Sequence, residues 1–333
     1  MTESAGTDAD GLSVLGDSAM AQVDALAATA GVRLVPVTTA AGHHEVAGVF
    51  STVWDAPPAA GPVRAGTMRA AQHVGAYVMG IHPVDDEPTG VLAVGEGNDV
   101  DAGPMVGASF AFHGADGHLH SHVTGVLADW QGRGLGLVTK LHQRAWCLQR
   151  GIDRVTWTFD PLVQRNARFN LQRLGAGLEE YLPSFYGPMT DGINAGDDTD
   201  RAFVVWHLDS PAVARAVAEA CRRRLDPAGS LQRHGRDREP GTDAVAAATA
   251  GNDHGVVAIV TNEDDRPRTE AAPVGTSTVA VATPRDIEAL RRLDPDLALQ
   301  WRHAVREAMH PRLEAGWRVV GMSGEGSYLM EAP

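Results

Sequence analysis

The sequence predicts a mixed α/β fold with a smaller α+β unit at its C-terminal end. Short apolar runs of strand length alternate with stripes of helical period over residues 32–208. One of these runs, 118–127, passes through a loop with three glycines straight into an amphipathic helix. From 226 to about 253 the composition shifts to Gly, Asp, Arg, Pro and Ala without period, after which strand and helix patterns resume.

Residues 1–17, small and acidic, read as a mobile tail, and an Ala-rich helix over 18–30 stops at Gly31. Residues 32–37 follow as a strand. Thr38 or Thr39 caps a helix running to Trp54, with Val46, Val49, Phe50 and Val53 on one face. The Pro/Ala/Gly stretch 55–62 is a loop, and 65–74 a second helix. Strands are expected at 76–81, 105–112 and 118–127, the last two separated by turn residues 114–117. Leu135, Val138, Leu141, Ala145 and Leu148 form the stripe of a helix over 134–150, closed by Gly151. A strand at 154–159 breaks at Asp160-Pro161, a helix over 163–174 ends at Gly175, and a strand spans 202–208. Two strands joined by a helix, as at 119–127 and 154–159, are parallel and near neighbours.

Beyond the linker, 256–260 and 278–282 read as strands. Thr283, Pro284 and Asp286 mark a helix start, Asp294-Pro295 restarts a helix through Leu313, and 317–322 with 327–330 form a hairpin. The expected organisation is therefore tail 1–17, domain 18–210, helix and linker 211–254, and an α+β unit 255–333.

Composition narrows the function. At 333 residues with 44% apolar and 21% charged, the chain has ample core and is not disordered wholesale. Lys plus Arg number 28 against 42 for Asp plus Glu, a net −14 that repels nucleic acid and anionic lipid. The same charge is also explained by solubility alone. Two cysteines, Cys147 and Cys221, make no disulfide framework, and no C-x-x-C pair offers a zinc site. With neither a secretion signal nor an apolar run of membrane length, the chain is expected to be cytoplasmic.

The loop Gln131, Gly132, Arg133, Gly134, Leu135, Gly136 carries the chemistry. Glycines there bare a row of backbone N–H groups at the positive end of a helix, a binding site for a pyrophosphate. A dinucleotide fold needs G-x-G-x-x-G after the first strand, and here the spacing differs and the loop follows the fourth strand. A P-loop needs a closing G-K-[ST], which is lacking.

In the order of these elements and in the 131–136 loop, residues 32–208 resemble the GNAT acetyltransferase superfamily, whose pyrophosphate motif is Q/R-x-x-G-x-G/A. Asn166, opening a helix that ends Leu174-Gly175, extends the resemblance; the C-terminal third lies outside it. The resemblance implies a mixed, mostly antiparallel sheet flanked by helices, with a V-shaped split between the parallel strands 119–127 and 154–159. It implies acetyl-CoA, or another acyl-CoA, as cofactor. Pantetheine would lie in the split as an extra strand. The backbone N–H groups of Val126, Leu127 and Ala128 would face the thioester, Gln131 to Gly136 would hold the pyrophosphate, and Asn166 would flank the pantetheine arm. The implied reaction is direct transfer to an amine of a small molecule or peptide. Rival readings are transfer to a non-amine acceptor, a non-catalytic acyl-CoA sensor and, last, a plain nucleotide-binding protein. The C-terminal unit is expected to cover the acceptor cleft or to form a dimer contact.

Amine attack needs a base, and the leaving thiolate needs an acid. The family's usual acid is a Tyr four residues before the Gly that closes the Asn-bearing helix; Leu171 stands there. Tyr181 and Tyr186 are substitutes, Tyr186 preferred beside Gly187-Pro188, though both also read as packing residues. His118, His120 and His122 alternate and so share one strand face. A metal is disfavoured, since three ligands on one strand rarely converge. His122 reads as the base or as a hydrogen-bonded structural histidine, with His120 behind it. Asp129 and Asp160, at the strand ends, read as cap and turn residues, Asp160 with the option of binding a cationic acceptor. Residues 179–200 read as a specificity loop.

Overall fold

The computed structural model describes residues 9–57, 60–84, 103–187, 198–226 and 256–333. Residues 1–8 of the expected tail and 227–253 of the expected linker lie outside the described residues. Two compact units form: the described residues up to Thr156 with His207–Ala214, and Trp157–Trp206 with Arg215–Pro333.

Unit 1 comprises α1 (Ala9–Ala30), β1 (Val32–Pro36), α2 (Ala40–Trp54), α3 (Ala65–His73), β2 (Tyr77–Pro83), β3 (Gly107–His113), β4 (Leu119–Val126), α4 (Leu135–Leu148) and the start of β5 (Arg154–Phe159). Strands β1 to β5 lie in sequence order, antiparallel except for the parallel β4–β5 pair. The mixed, mostly antiparallel sheet expected from the sequence is present.

Neighbouring residues of β3 show how the sheet is covered. Phe110 joins Val46, Phe50 and Val123 in an apolar core under α2, whereas Ser109 turns the other way and accepts from Nε2 of Gln143 on α4 at 3.0 Å. Thr39 caps α2 by accepting from the Gly42 N–H at 3.0 Å, as one of the two expected caps.

Helix α1 begins at Ala9, although the sequence suggested a tail as far as residue 17. Gly16 accounts for the difference. A Cβ there would lie 2.7 Å from the Gln149 backbone nitrogen, so this glycine is what lets α1 pack closely on α4. A residue of poor helix propensity is held in the helix by a tertiary contact.

Unit 2 takes the rest of β5, then α5 (Gln164–Arg168) continuing into a π turn (Phe169–Arg173), β6 (Gly177–Leu182), most of β7 (Arg201–His207) and most of α6 (Pro211–Leu225). Strand β6 pairs antiparallel with β7. Its residues were expected to be loop from 179 onward. The register shifts between Leu178 and Glu180, and that irregularity breaks the alternation by which a strand is recognised.

A second sheet in unit 2 has the order β11-β12-β10-β8-β9. It is built from β8 (Val257–Glu263), β9 (Arg266–Thr269), β10 (Thr278–Ala282), β11 (Arg318–Met322) and β12 (Ser327–Glu331), with α7 (Ile287–Leu293) and α8 (Pro295–Glu314). Asp286, not Thr283, caps α7, accepting from the Ala289 N–H at 2.9 Å. The strand β9 was missed, since Arg266 to Thr269 carry no apolar side chain except Pro267. No helix among the described residues is long and apolar enough to cross a membrane.

Two glycines should answer substitution oppositely. Gly48, inside α2, has nothing within 4 Å of an added Cβ, so Gly48→Ala should stabilise unit 1 by about 0.5–1 kcal/mol. Gly16→Ala should destabilise despite its better helix propensity, by about 1–3 kcal/mol, because the Gln149 backbone must yield. Urea unfolding midpoints check both, and a stabilised Gly16→Ala would contradict the close approach.

Candidate functional site

The site is built on β4. Its ladder with β3 pairs Phe110 with Val123 but Ala111 with Ser121, so His122 is one residue too many. Such a bulge re-aims the side chains on either side of it. Ser121 and Thr124 turn towards α4: Lys140 Nζ donates to Ser121 Oγ at 2.8 Å, and Thr124 Oγ1 meets Ser109 Oγ at 2.8 Å. His120, His122 and Val123 turn to the α2 face. There the Phe112 ring lies 5.2 Å from His120 and 5.7 Å from His122, and Phe110 lies 6.1 Å from His122.

The parallel ladder between β4 and β5 consists of Leu119 with Val155 and His120 with Thr156. Among the described residues it ends there, at the bulge. The Leu127 N–H donates to the Val106 carbonyl at 2.9 Å, on the β3 side. Strand alternation therefore turns the N–H groups of Val126 and Thr124 to the other edge. From His122 to Val126 this edge runs about 13 Å. Leu127 was expected to offer its N–H to a thioester; that hydrogen is committed to Val106.

At the end of β4 a short 3₁₀ turn, Ala128–Trp130, leads to the glycine loop. Gln131 Nε2 donates to the Val126 carbonyl at 3.1 Å, pinning the loop to the strand. Arg133 stacks on Trp130, its guanidinium carbon 4.2 Å from the ring centre. Gly132 and Gly134 hold φ of 76° and 83°, a left-handed region that favours glycine. Gly134 is the N-cap of α4, so Asp129 is not; no side chain caps the helix and no acid stands in its first turn. The N–H groups of Leu135 and Gly136 therefore face outward at the positive end of the helix dipole. A Cβ added at Gly132 or Gly136 meets nothing within 4 Å.

Burial sets the electrostatics. The His120 imidazole, whose Nδ1 lies 2.9 Å from Thr156 Oγ1, is pushed down to about 4 by burial and then by the neighbouring cations His122, His118 and Lys140. His122 is lowered by burial and partly restored by a bond to the Pro62 carbonyl. Burial also brings the Lys140 ammonium down to about 7. A neutral imidazole on one face of β4 and an easily deprotonated amine on the other thus flank the point where the ladder ends. Lys140 escaped the sequence reading, although its signal was present. It sits three residues after Leu137 and four before Arg144, on a buried stripe where a charge needs a reason.

His118 pairs with Asp116, which also holds Arg154, so it stands apart from the other two histidines. Unit 2 carries the remaining expected residues. Asn166 is half-buried on α5, its N–H bonded to the Val163 carbonyl at 3.0 Å. Tyr186 is 42% exposed, with its hydroxyl 3.3 Å from Thr158 Oγ1 and its ring edge-on to Phe185. Tyr181 is core, donating to Asp200 at 2.7 Å. Asp160 is enclosed by Arg291 and Arg302, which hold its carboxyl well below the usual range against the effect of burial. It is a structural counter-ion and takes no cationic acceptor.

No protein-family profile and no curated protein matches the chain. Solved structures resemble it over about half its length. The ribosomal-protein-S18-alanine N-acetyltransferase from Escherichia coli is 12% identical, with 54% of this chain and 95% of that chain covered and a TM-score of 0.40. A GNAT family acetyltransferase from Elizabethkingia anophelis with acetyl-CoA bound is 10% identical, at 53% and 98% coverage and a TM-score of 0.37. An N-acetyltransferase from Staphylococcus aureus Mu50 is 11% identical, at 54% and 99% coverage and a TM-score of 0.37. N-acetyltransferases thus recur among these structures, and one acetyltransferase bears the name of the family that the loop and element order resemble. Likeness at that level identifies no activity.

Imidazoles depressed in the folded state bind protons more readily once unfolded. Stability should therefore fall as pH drops from about 6.5 towards 4, by at most about 1.4 kcal/mol per pH unit for each imidazole. His120→Gln should flatten that slope, and the His120 ring should titrate near 4 by NMR. A midpoint near 6.5 would contradict its burial against Thr156.

Proposed function

We propose that this chain is an acyl-CoA-dependent N-acyltransferase, acetyl-CoA being its donor, acting on an amine of a small molecule or peptide. One observation carries the reading: the free edge of β4 runs directly into an uncapped helix N-terminus across two left-handed glycines. A linear chain of two amides matches the edge, and a diphosphate matches the loop. Residues Val126 to Ala128 and Gln131 to Gly136 would hold the cofactor, with Val126 supplying its N–H to the edge and Leu127 shaping it through the Val106 bond. Gln131 fixes the loop, and Arg133 brings a cation to its rim. Asn166 is proposed to contribute from unit 2.

Bound acyl-CoA would supply an activated thioester. His122 is the proposed base: burial lowers its pKa, so the ring is neutral near pH 7 and a ring nitrogen can accept the amine proton. Tyr186 remains a proposed proton donor to the thiolate in place of the residue missing at Leu171. Lys140 through Ser121 is a second candidate, favoured by its position beside the ladder's end.

Gly136→Glu separates binding from folding. The side chain has room, and an acid in the first turn suits the helix dipole, so the unfolding midpoint should hold or rise. Coenzyme A affinity by calorimetry should drop on the order of 100-fold, about 2.7 kcal/mol, through repulsion of the diphosphate. Unchanged affinity would refute the site. His122→Gln should lower kcat by about 10²–10⁴ at unchanged acetyl-CoA affinity, read as thiol release with an amine panel. Thiol release with alcohols alone would overturn the amine acceptor. Comparing Tyr186→Phe with Lys140→Met in the same assay assigns the donor.

A further inference from the structure

Unit 1 contains a hollow of about 390 Å³ away from the glycine loop, between β1, β2, α1 and the C-terminal half of α4. Its lining is selective. Aromatic rings come from Tyr77, His142 and Trp146, and thioethers from Met20 and Met79. One guanidinium, Arg150, stands in the lining and no carboxylate does, in a chain with 42 acidic residues against 28 basic. Arg150 lies flat on Trp146, 4.1 Å from the ring centre, and bonds the Trp146 carbonyl at 3.1 Å. Among the described residues no acid pairs with it. Deeper in, the Tyr77 hydroxyl lies 2.9 Å from Nδ1 of His142, and the Tyr77 ring stands edge-on to Trp146 at 5.4 Å.

We propose that this hollow binds a small planar aromatic carboxylate. The volume admits one or two fused rings and lies within the range of natural ligand pockets. The ring system would pack against Trp146, Tyr77 and the two methionines. At the rim Arg150 offers the two parallel N–H groups that a carboxylate takes in a fork, and stacking on Trp146 already orders them. His142 supplies the inner polar contact. Burial keeps the Tyr77 phenol protonated and the His142 ring neutral, so the phenol donates to Nδ1 and the ring hydrogen sits on Nε2. A cationic ligand finds no carboxylate here. The site is independent of the transferase reading, because no residue of β4 or of the 131–136 loop lines it.

The test uses the full chain with 2-naphthoate and its neutral counterpart 2-naphthalenemethanol, followed by NMR shifts of the Trp146 indole and by calorimetry. Naphthoate is expected to bind at least tenfold tighter than the alcohol, and Arg150→Met to erase that difference while leaving the alcohol's affinity in place. Met20→Trp, which fills the hollow, should abolish both, its fold being checked by the unfolding midpoint. Naphthoate should still bind in saturating coenzyme A. Equal affinity for acid and alcohol would overturn the proposal. So would naphthoate binding that survives Arg150→Met unchanged, or that coenzyme A displaces, the last locating the anion at the glycine loop instead.

Discussion

The arrangement of the site depends on one irregularity, the extra residue His122 in β4. A regular strand would have carried its alternation unbroken from Leu119 to Val126. The inserted residue reverses which side chains face α2 and which face α4, and the parallel ladder to β5 ends beside it. Three consequences share this cause. His122 faces the aromatic side, Ser121 meets Lys140 on the opposite side, and the N–H groups of Thr124 and Val126 turn to the edge away from β3. Edges of that kind are a hazard in most proteins, since they invite pairing with another chain. Here the edge leads into a helix start that has neither a capping side chain nor a first-turn acid, a second set of unsatisfied donors. Two such deficits in line are hard to account for by stability and easy to account for by a ligand that satisfies both.

Most elements were legible because their periods are strong. The stripe of Leu135, Val138, Leu141 and Leu148 and the turn glycines Gly31, Gly117 and Gly151 mark their boundaries without tertiary help. What was not legible arose where local preference yields to contact. Gly16 falls in the expected tail but sits mid-helix because α4 requires a side-chain-free neighbour. Leu178 and Tyr181 belong to a strand whose bulge hides the alternation. The 283–286 segment does start a helix, yet Asp286 caps it.

The glycine loop was the most legible part of the candidate site, since its glycines act through backbone conformation and that is written in residue type. The polar chemistry was less so. Asp160 read as a turn residue with the option of binding a cation, because the two arginines that enclose it come from 131 and 142 residues further along. Lys140 is an ordinary helix residue until burial and Ser121 are known. Alternation put three histidines on one face; the structure keeps His120 and His122 together, and Asp116 draws His118 aside.

Amide hydrogen exchange along β4 tests the free edge most directly. In ligand-free protein the Thr124 and Val126 amides should exchange rapidly while that of Leu127, bonded to Val106, stays protected; saturating coenzyme A should slow the first two selectively. Thr124 and Val126 amides as protected as Leu127 before any ligand is added, or indifferent to coenzyme A, would contradict the account.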